Sequence, residues 1–357
     1  MDSSTQIERG IHSLSRVATI EERGKFRGGE IVFYHLLENV PEDADRTALE
    51  GMGLDVSYYR QNGRSYVILQ EQRYATPRRL SRTHVILFLA TVLTTLAAGA
   101  LLEGHDVFQQ PATILLGWPF SLTLMGILGI HEFGHYTYAR RHQIEVSPPY
   151  FIPLPPPLTF IGTLGAFIKM KGPIPNRLAL LEIGAAGPIA GFIVAVPALF
   201  IGLHLSSVVE LDNAGFFLGE SLLMKWATTV MFPGLGPEQD VLLHPVGFAG
   251  WIGLLITMLN LLPIAQLDGG HISYALFGQR QEWVGRIVFL ALIPMGLFLS
   301  PNWLFWGLLI LLLMRTVRHP PVQDITRPLT PHEVRIGILC LAIFILCFIP
   351  VPFRMVG

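Results

Sequence analysis

A chain of 357 residues that is 51% hydrophobic and only 14% charged, with mean hydropathy +0.49, is too apolar for an ordinary soluble domain and reads as a polytopic membrane protein. Its formal net charge of -1, with no Lys/Arg block, excludes general attraction to nucleic acid. The two cysteines, Cys340 and Cys347, would stand about 10 Å apart on a helix, which excludes a disulfide between them and leaves no thiolate spacing for zinc.

The polar, acidic N-terminal part reads as neither a cleaved signal peptide nor an Arg-rich transit peptide. Residues 1–29 carry Gly10, Gly24, Gly28 and Gly29 without lasting periodicity and read as a flexible arm. Residues 30–76 read as a small cytosolic α/β domain. In it Ile31 to Leu37 forms a strand, Pro41 to Gly51 a short helix, and Val56 to Gln70 two strands joined at Asn62-Gly63, a type I′ hairpin signal.

Residues 83–353 form the membrane domain, for which the sequence suggests six to seven transmembrane helices. Arg78, Arg79 and Arg82 precede the first uncharged run, Val85 to Leu102, and place the N-terminal domain in the cytoplasm by the positive-inside rule. The second span ends at Arg140-Arg141-His142, again basic and cytoplasmic. A Pro-rich stretch from Ser147 to Pro157 cannot be helical, and the Gly-punctuated run Phe160 to Ile168 that follows reads as a re-entrant extended loop. Leu178 to Leu205 is the third span and contains Gly187 and Gly191, a small-xxx-small face for close helix approach. The apolar piece Ser221 to Phe232 is too short to cross. Pro245 to Leu262 is the fourth span, followed by a turn at Pro263 and a new helix opening near Asp268. Runs at Ile287 to Leu299, Trp303 to Met314 and Ile336 to Val351 complete the chain, with Arg315 and Arg318 on the same side as the earlier basic clusters.

Within the second span stands His131-Glu132-Phe133-Gly134-His135. Four residues apart on a helix, the two imidazoles share a face with a carboxylate beside them, the HExxH pattern of zinc peptidases. His131 falls about 18 Å along a helix that starts near Pro119, inside a hydrocarbon core of roughly 30 Å. Charged groups at that depth need partners, and a metal supplies one. Two imidazoles do not complete a zinc site, so a third protein ligand is required. Asp268 is preferred because Asn260, Pro263 and Gly269 make a shaped turn around it; His271 and Glu182 are the alternatives.

The chain resembles the site-2 protease family of intramembrane zinc metalloproteases, in the bacterial and chloroplast branch with extra C-terminal spans and without a recognisable PDZ insertion. The resemblance rests on His131 to His135, on Gly187-Pro188-Ile189-Ala190-Gly191, and on Asn260-Leu261-Leu262-Pro263 through Asp268-Gly269, in that order. It implies one zinc ion held by His131, His135 and Asp268, Glu132 as general acid/base, and Asn260 as a substrate-orienting or oxyanion-stabilising amide. It also implies hydrolysis of a peptide bond within a transmembrane segment of another membrane protein. The expected setting is a bacterial plasma membrane. A proteolytically inactive scaffold or chaperone of the same fold, and a metal-ion transporter, are the competing classes. Intact Glu132 and ligand candidates weigh against the first, and the absence of repeated halves against the second.

Overall fold

The computed structural model describes residues 3–26, 29–41, 43–61, 64–71, 80–171, 174–210, 215–236 and 238–356. Its N-terminal part runs α1 (Ser3–Leu14), β1 (Ala18–Phe26), β2 (Gly29–Leu36), α2 (Ala44–Leu49), β3 (Leu54–Gln61) and β4 (Arg64–Glu71). The strands form one antiparallel sheet in the order β1-β2-β4-β3. Ile7, Ile11 and Leu14 recur on one face of α1 and bury against Val32, Tyr34, Val67 and Leu69.

The flexible arm expected over residues 1–29 is therefore corrected: α1 and β1 belong to the folded layer. The glycines misled because they serve packing. A Cβ at Gly10 would stand 2.5 Å from a methyl of Leu54, so the residue is small to let α1 lie on the sheet. Strands β3 and β4 pair up to Gln61 opposite Arg64. The turn expected at Asn62-Gly63 lies outside the described residues, as do Arg78 and Arg79.

The rest of the chain is mainly helical. First come α3 (Arg82–Leu102), a 3₁₀ turn (Pro111–Gly117) and α4 (Trp118–Arg141). Four short strands follow, β5 (Glu145–Val146), β6 (Tyr150–Pro153), β7 (Thr163–Phe167) and β8 (Met170–Lys171), and then α5 (Arg177–His204). The next region holds β9 (Ser207–Glu210), β10 (Gly215–Leu218), α6 (Leu222–Met231) and β11 (Gln239–Leu242). The chain ends with α7 (Pro245–Asn260), α8 (Asp268–Phe277), α9 (Gln281–Phe298), α10 (Asn302–Met314), α11 (Pro331–Cys347) and β12 (Phe353–Val356).

Among the described residues four helical stretches are long and apolar enough to cross a membrane: Arg82–Leu102, Pro111–Arg141, Arg177–His204 and Asp268–Phe298. Helix α7, with 16 residues, is an apolar rod enclosed by protein, its Trp251, Ile252 and Leu254 fully buried against α4, α5 and α11. The stretch expected to be extended is a hairpin in which β6 pairs antiparallel with β7, Tyr150 opposite Phe167 and Ile152 opposite Gly165. Helix α3 covers it: Thr94 Oγ1 donates to the Gly162 carbonyl at 2.6 Å, and the Phe88 and Phe151 rings meet edge to face at 5.3 Å. Backbone polar groups at this point are thus roofed by protein.

The N-terminal sheet touches the membrane part through the segment between α10 and α11. Arg46 Nη1 lies 2.9 Å from Asp324 Oδ2, and Gln323 Nε2 donates to Asp55 Oδ1 at 2.6 Å. The Gln323 and Asp324 backbone amides donate in turn to the carbonyls of Ile174 and Pro175, directly before α5.

Candidate metal centre

Helix α4 carries His131 and His135 one turn apart, with their Nε2 atoms 3.1 Å from each other and both residues buried. Asp268 enters from the first position of α8. Its Oδ1 lies 3.2 Å from His135 Nε2 and its Oδ2 3.3 Å from His131 Nε2. One ligand atom from each of the three residues falls within 4.8 Å of the others.

These donors fit a cation. His135 Nδ1–H donates to the Ile183 carbonyl at 2.7 Å, which turns the unprotonated Nε2 lone pair toward Asp268. Two acceptors then face each other with nothing between them to share. Asp268 Oδ2 is also buried without a hydrogen bond, an arrangement that is costly unless a positive charge compensates it. Two imidazole nitrogens and a carboxylate are ordinary zinc ligands and leave one tetrahedral position open. Zinc is the ion this donor set suits.

Glu132 is buried next to His131 but outside the ligand group, and its carboxyl interacts with the backbone of Ile168 just after β7. Asn260, the last residue of α7, brings its Nδ2 to 3.3 Å from His131 Nε2. The fold brings these five polar groups, His131, Glu132, His135, Asn260 and Asp268, together from three helices.

The two other candidates for third ligand are occupied elsewhere. Glu182 accepts from His142 Nε2 at 2.6 Å, and His271 Nδ1 lies 2.6 Å from His319 Nε2. Neither joins the cluster among the described residues.

Close approach of α4 and α5 makes the geometry possible. A Cβ on Gly134 would sit 2.6 Å from the Ala186 carbonyl oxygen, and one on Gly187 would sit 2.1 Å from His135 Nε2. Gly191 faces His131 in the same way, at 3.1 Å from its Nδ1. The small-residue stripe read from the sequence as a packing face therefore packs against the imidazoles themselves.

Residues 119–299 match the family model of peptidase family M50. The chain belongs to peptidase family M50. Among its relatives is "Probable zinc metalloprotease EGY1, chloroplastic" of Arabidopsis thaliana, 31% identical over 65% of this chain and 43% of the relative. "Probable zinc metalloprotease EGY2, chloroplastic" from the same plant is 30% identical over 68% of this chain and 43% of its own length. An EGY3 protein of Oryza sativa subsp. indica, also named as a probable chloroplastic zinc metalloprotease, is 26% identical over 73% and 47%. This M50 chain thus spans less than half the length of the curated relatives it matches. No solved structure matches it. Family and apolar helices together make it an integral membrane protein. The bacterial plasma membrane expected from the sequence gains no support, because the relatives are named as chloroplastic.

Proposed function

We propose that this chain is an intramembrane zinc-dependent endopeptidase that cuts a peptide bond within a transmembrane segment of another membrane protein, as in regulated intramembrane proteolysis. One observation carries the reading: a cation-demanding cluster of buried His131 and His135 with half-buried Asp268 has a carboxylate, Glu132, beside it but outside the ligand group. Peptide hydrolysis needs a base placed beside the metal and not bound to it, which is where Glu132 stands.

Bound there, zinc supplies Lewis acidity toward a peptide carbonyl and toward water. Glu132 takes a proton from the attacking water and returns it to the leaving amine. Asn260 directs an amide N–H at the scissile carbonyl oxygen, where negative charge develops. A substrate helix must unwind first, since its carbonyls are tied up in its own hydrogen bonds. Strand β7 pairs with β6 along one edge, and its other edge offers a template for the unwound segment by strand addition.

The test is cleavage of a single-span substrate by purified protein with its zinc content measured. Glu132→Gln keeps the shape and leaves both imidazoles in place, so zinc stays bound while cleavage stops. Turnover near that of the wild type would remove Glu132 from the chemistry and the protease reading with it.

The same reading sets a topology. Residues 3–71 form a cytosolic α/β domain and residues 83–353 the membrane metalloprotease, with α7 and α11 as further crossings toward six or seven. A Cys placed at Gln143, with Cys340 and Cys347 replaced, is expected to react with a membrane-impermeant reagent only from the cytosolic face. Labelling from the opposite face would invert the arrangement.

A further inference from the structure

The turn that presents Asp268 is held by residues far from it in the sequence. Between α7 and α8 the chain passes through Leu261 to Leu267, where Ala265 takes a left-handed backbone conformation, φ 48°, that a residue with a side chain rarely adopts. The turn has bonds of its own, from the Ile264 N–H to the Leu262 carbonyl at 2.8 Å and from the Leu267 N–H to the Ile264 carbonyl at 3.1 Å, and others from outside. The Ala265 N–H donates to the Val317 carbonyl at 3.0 Å, so the strap that follows α10 lies directly on the turn.

Gln281, the first residue of α9, fastens turn to strap. Its side chain is fully buried. Nε2 donates to the Pro263 carbonyl at 3.3 Å and to the Val317 carbonyl at 3.2 Å, while Oε1 accepts from the His319 N–H at 3.1 Å. Both ends of the amide are therefore used, and they join three separate segments.

His319 meets α8 one turn and more beyond Asp268, at His271 and Tyr274. Its Nδ1 faces the Pro320 carbonyl, which can only accept, so the proton sits on Nδ1 and Nε2 is left as an acceptor. His271, one turn after Asp268 in α8, donates from Nδ1 to that acceptor at 2.6 Å. Tyr274 stacks on the His319 ring at 4.6 Å. Burial draws His319 down from an ordinary 6.5 to about 4, which keeps it neutral and able to accept.

We propose that Gln281 and His319 are positioning residues for Asp268, pinning the Pro263 to Leu267 turn and the first turn of α8 so that the carboxylate meets the two imidazoles of α4. The inference rests on the reading of Asp268 as a metal ligand. Helix α4 needs no such help, since its own hydrogen bonds set the spacing of His131 and His135. Asp268 stands at the end of a turn, where α5 packs on the start of α8 at Gly184 and the strap holds the turn itself.

The test uses full-length protein and measures zinc affinity by chelator competition, together with the visible spectrum of the cobalt-substituted form. Gln281→Glu keeps the acceptor for His319 but sets a carboxyl oxygen against two carbonyls, and His319→Leu removes the acceptor for His271. Each is expected to weaken zinc binding by about 10- to 100-fold, the usual range for outer partners of metal ligands, and to alter the cobalt spectrum, while helical content by circular dichroism is unchanged. Gln281→Asn, a milder change with both donors retained on a shorter stem, decides the matter if the Glu variant fails to fold. Wild-type affinity and spectrum in the folded variants, with affinity lost in Asp268→Ala, would overturn the positioning role and leave the ligand assignment standing. Undiminished affinity in Asp268→Ala would instead strike down the assignment itself.

Discussion

The two halves of the metal centre are built in different ways. His131, Glu132 and His135 sit in the middle of α4, a 24-residue helix whose backbone fixes their spacing before any other element arrives. Asp268 opens α8 after a turn with one left-handed residue, and its place depends on α9 and on the strap near Val317. A ligand pair inside a helix is a local property of the sequence. A ligand at the end of a turn is a property of the whole fold.

Removal of ligands is the largest way to probe this difference. His135→Ala and Asp268→Ala are each expected to lose stoichiometric zinc and all cleavage, because each takes away one of three protein ligands. Metal analysis of the purified variants reads the result. Retention of full zinc by Asp268→Ala would mean that the turn half is not a ligand half.

Asn260→Ala comes next. Its amide is expected to matter for turnover and not for metal, with a loss of about 100- to 1000-fold in kcat, the scale seen for donors to a developing oxyanion. Parallel measurement of zinc content and of kcat separates these roles. Cleavage at the wild-type rate would reduce Asn260 to a helix-end residue.

Gly187→Ala sharpens the comparison from the helix side. The new Cβ would stand 2.1 Å from His135 Nε2, so α5 or the imidazole must give way. Overpacking of that kind costs about 1–3 kcal/mol, or roughly a 5- to 150-fold loss of zinc affinity. An unchanged zinc dissociation constant would show that the two helices can separate without cost to the centre.

Much of this was legible in the sequence because the signals were local. HExxH within an uncharged run announces its helix and a candidate ligand pair on one face, and Gly187 with Gly191 announces a close helix contact. Asp268 could be preferred, because Pro263 and Gly269 mark a turn, but His271 and Glu182 stayed open. The fold gives each another partner, 48 and 40 residues away, His319 and His142. Gln281 and His319 carried no local signal at all: a Gln at a helix start and a His before two prolines look like surface residues. The N-terminal helix was missed for the opposite reason. Glycine content suggested a loose arm, and only Leu54 above Gly10 shows that smallness there serves packing.

The contact between Arg46 and Asp324 joins residues 278 positions apart. At roughly 5 to 20 residues per second of synthesis, Asp324 follows Arg46 out of the ribosome after about 14 to 56 s. During that interval the N-terminal sheet exists with its seat still unmade. It must hold together on its own core of Ile7, Ile11, Leu14 and Val67, and it docks only after every helix through α10 has been made. A chain that stalls earlier would carry a folded N-terminal sheet with Arg46 and Asp55 undocked.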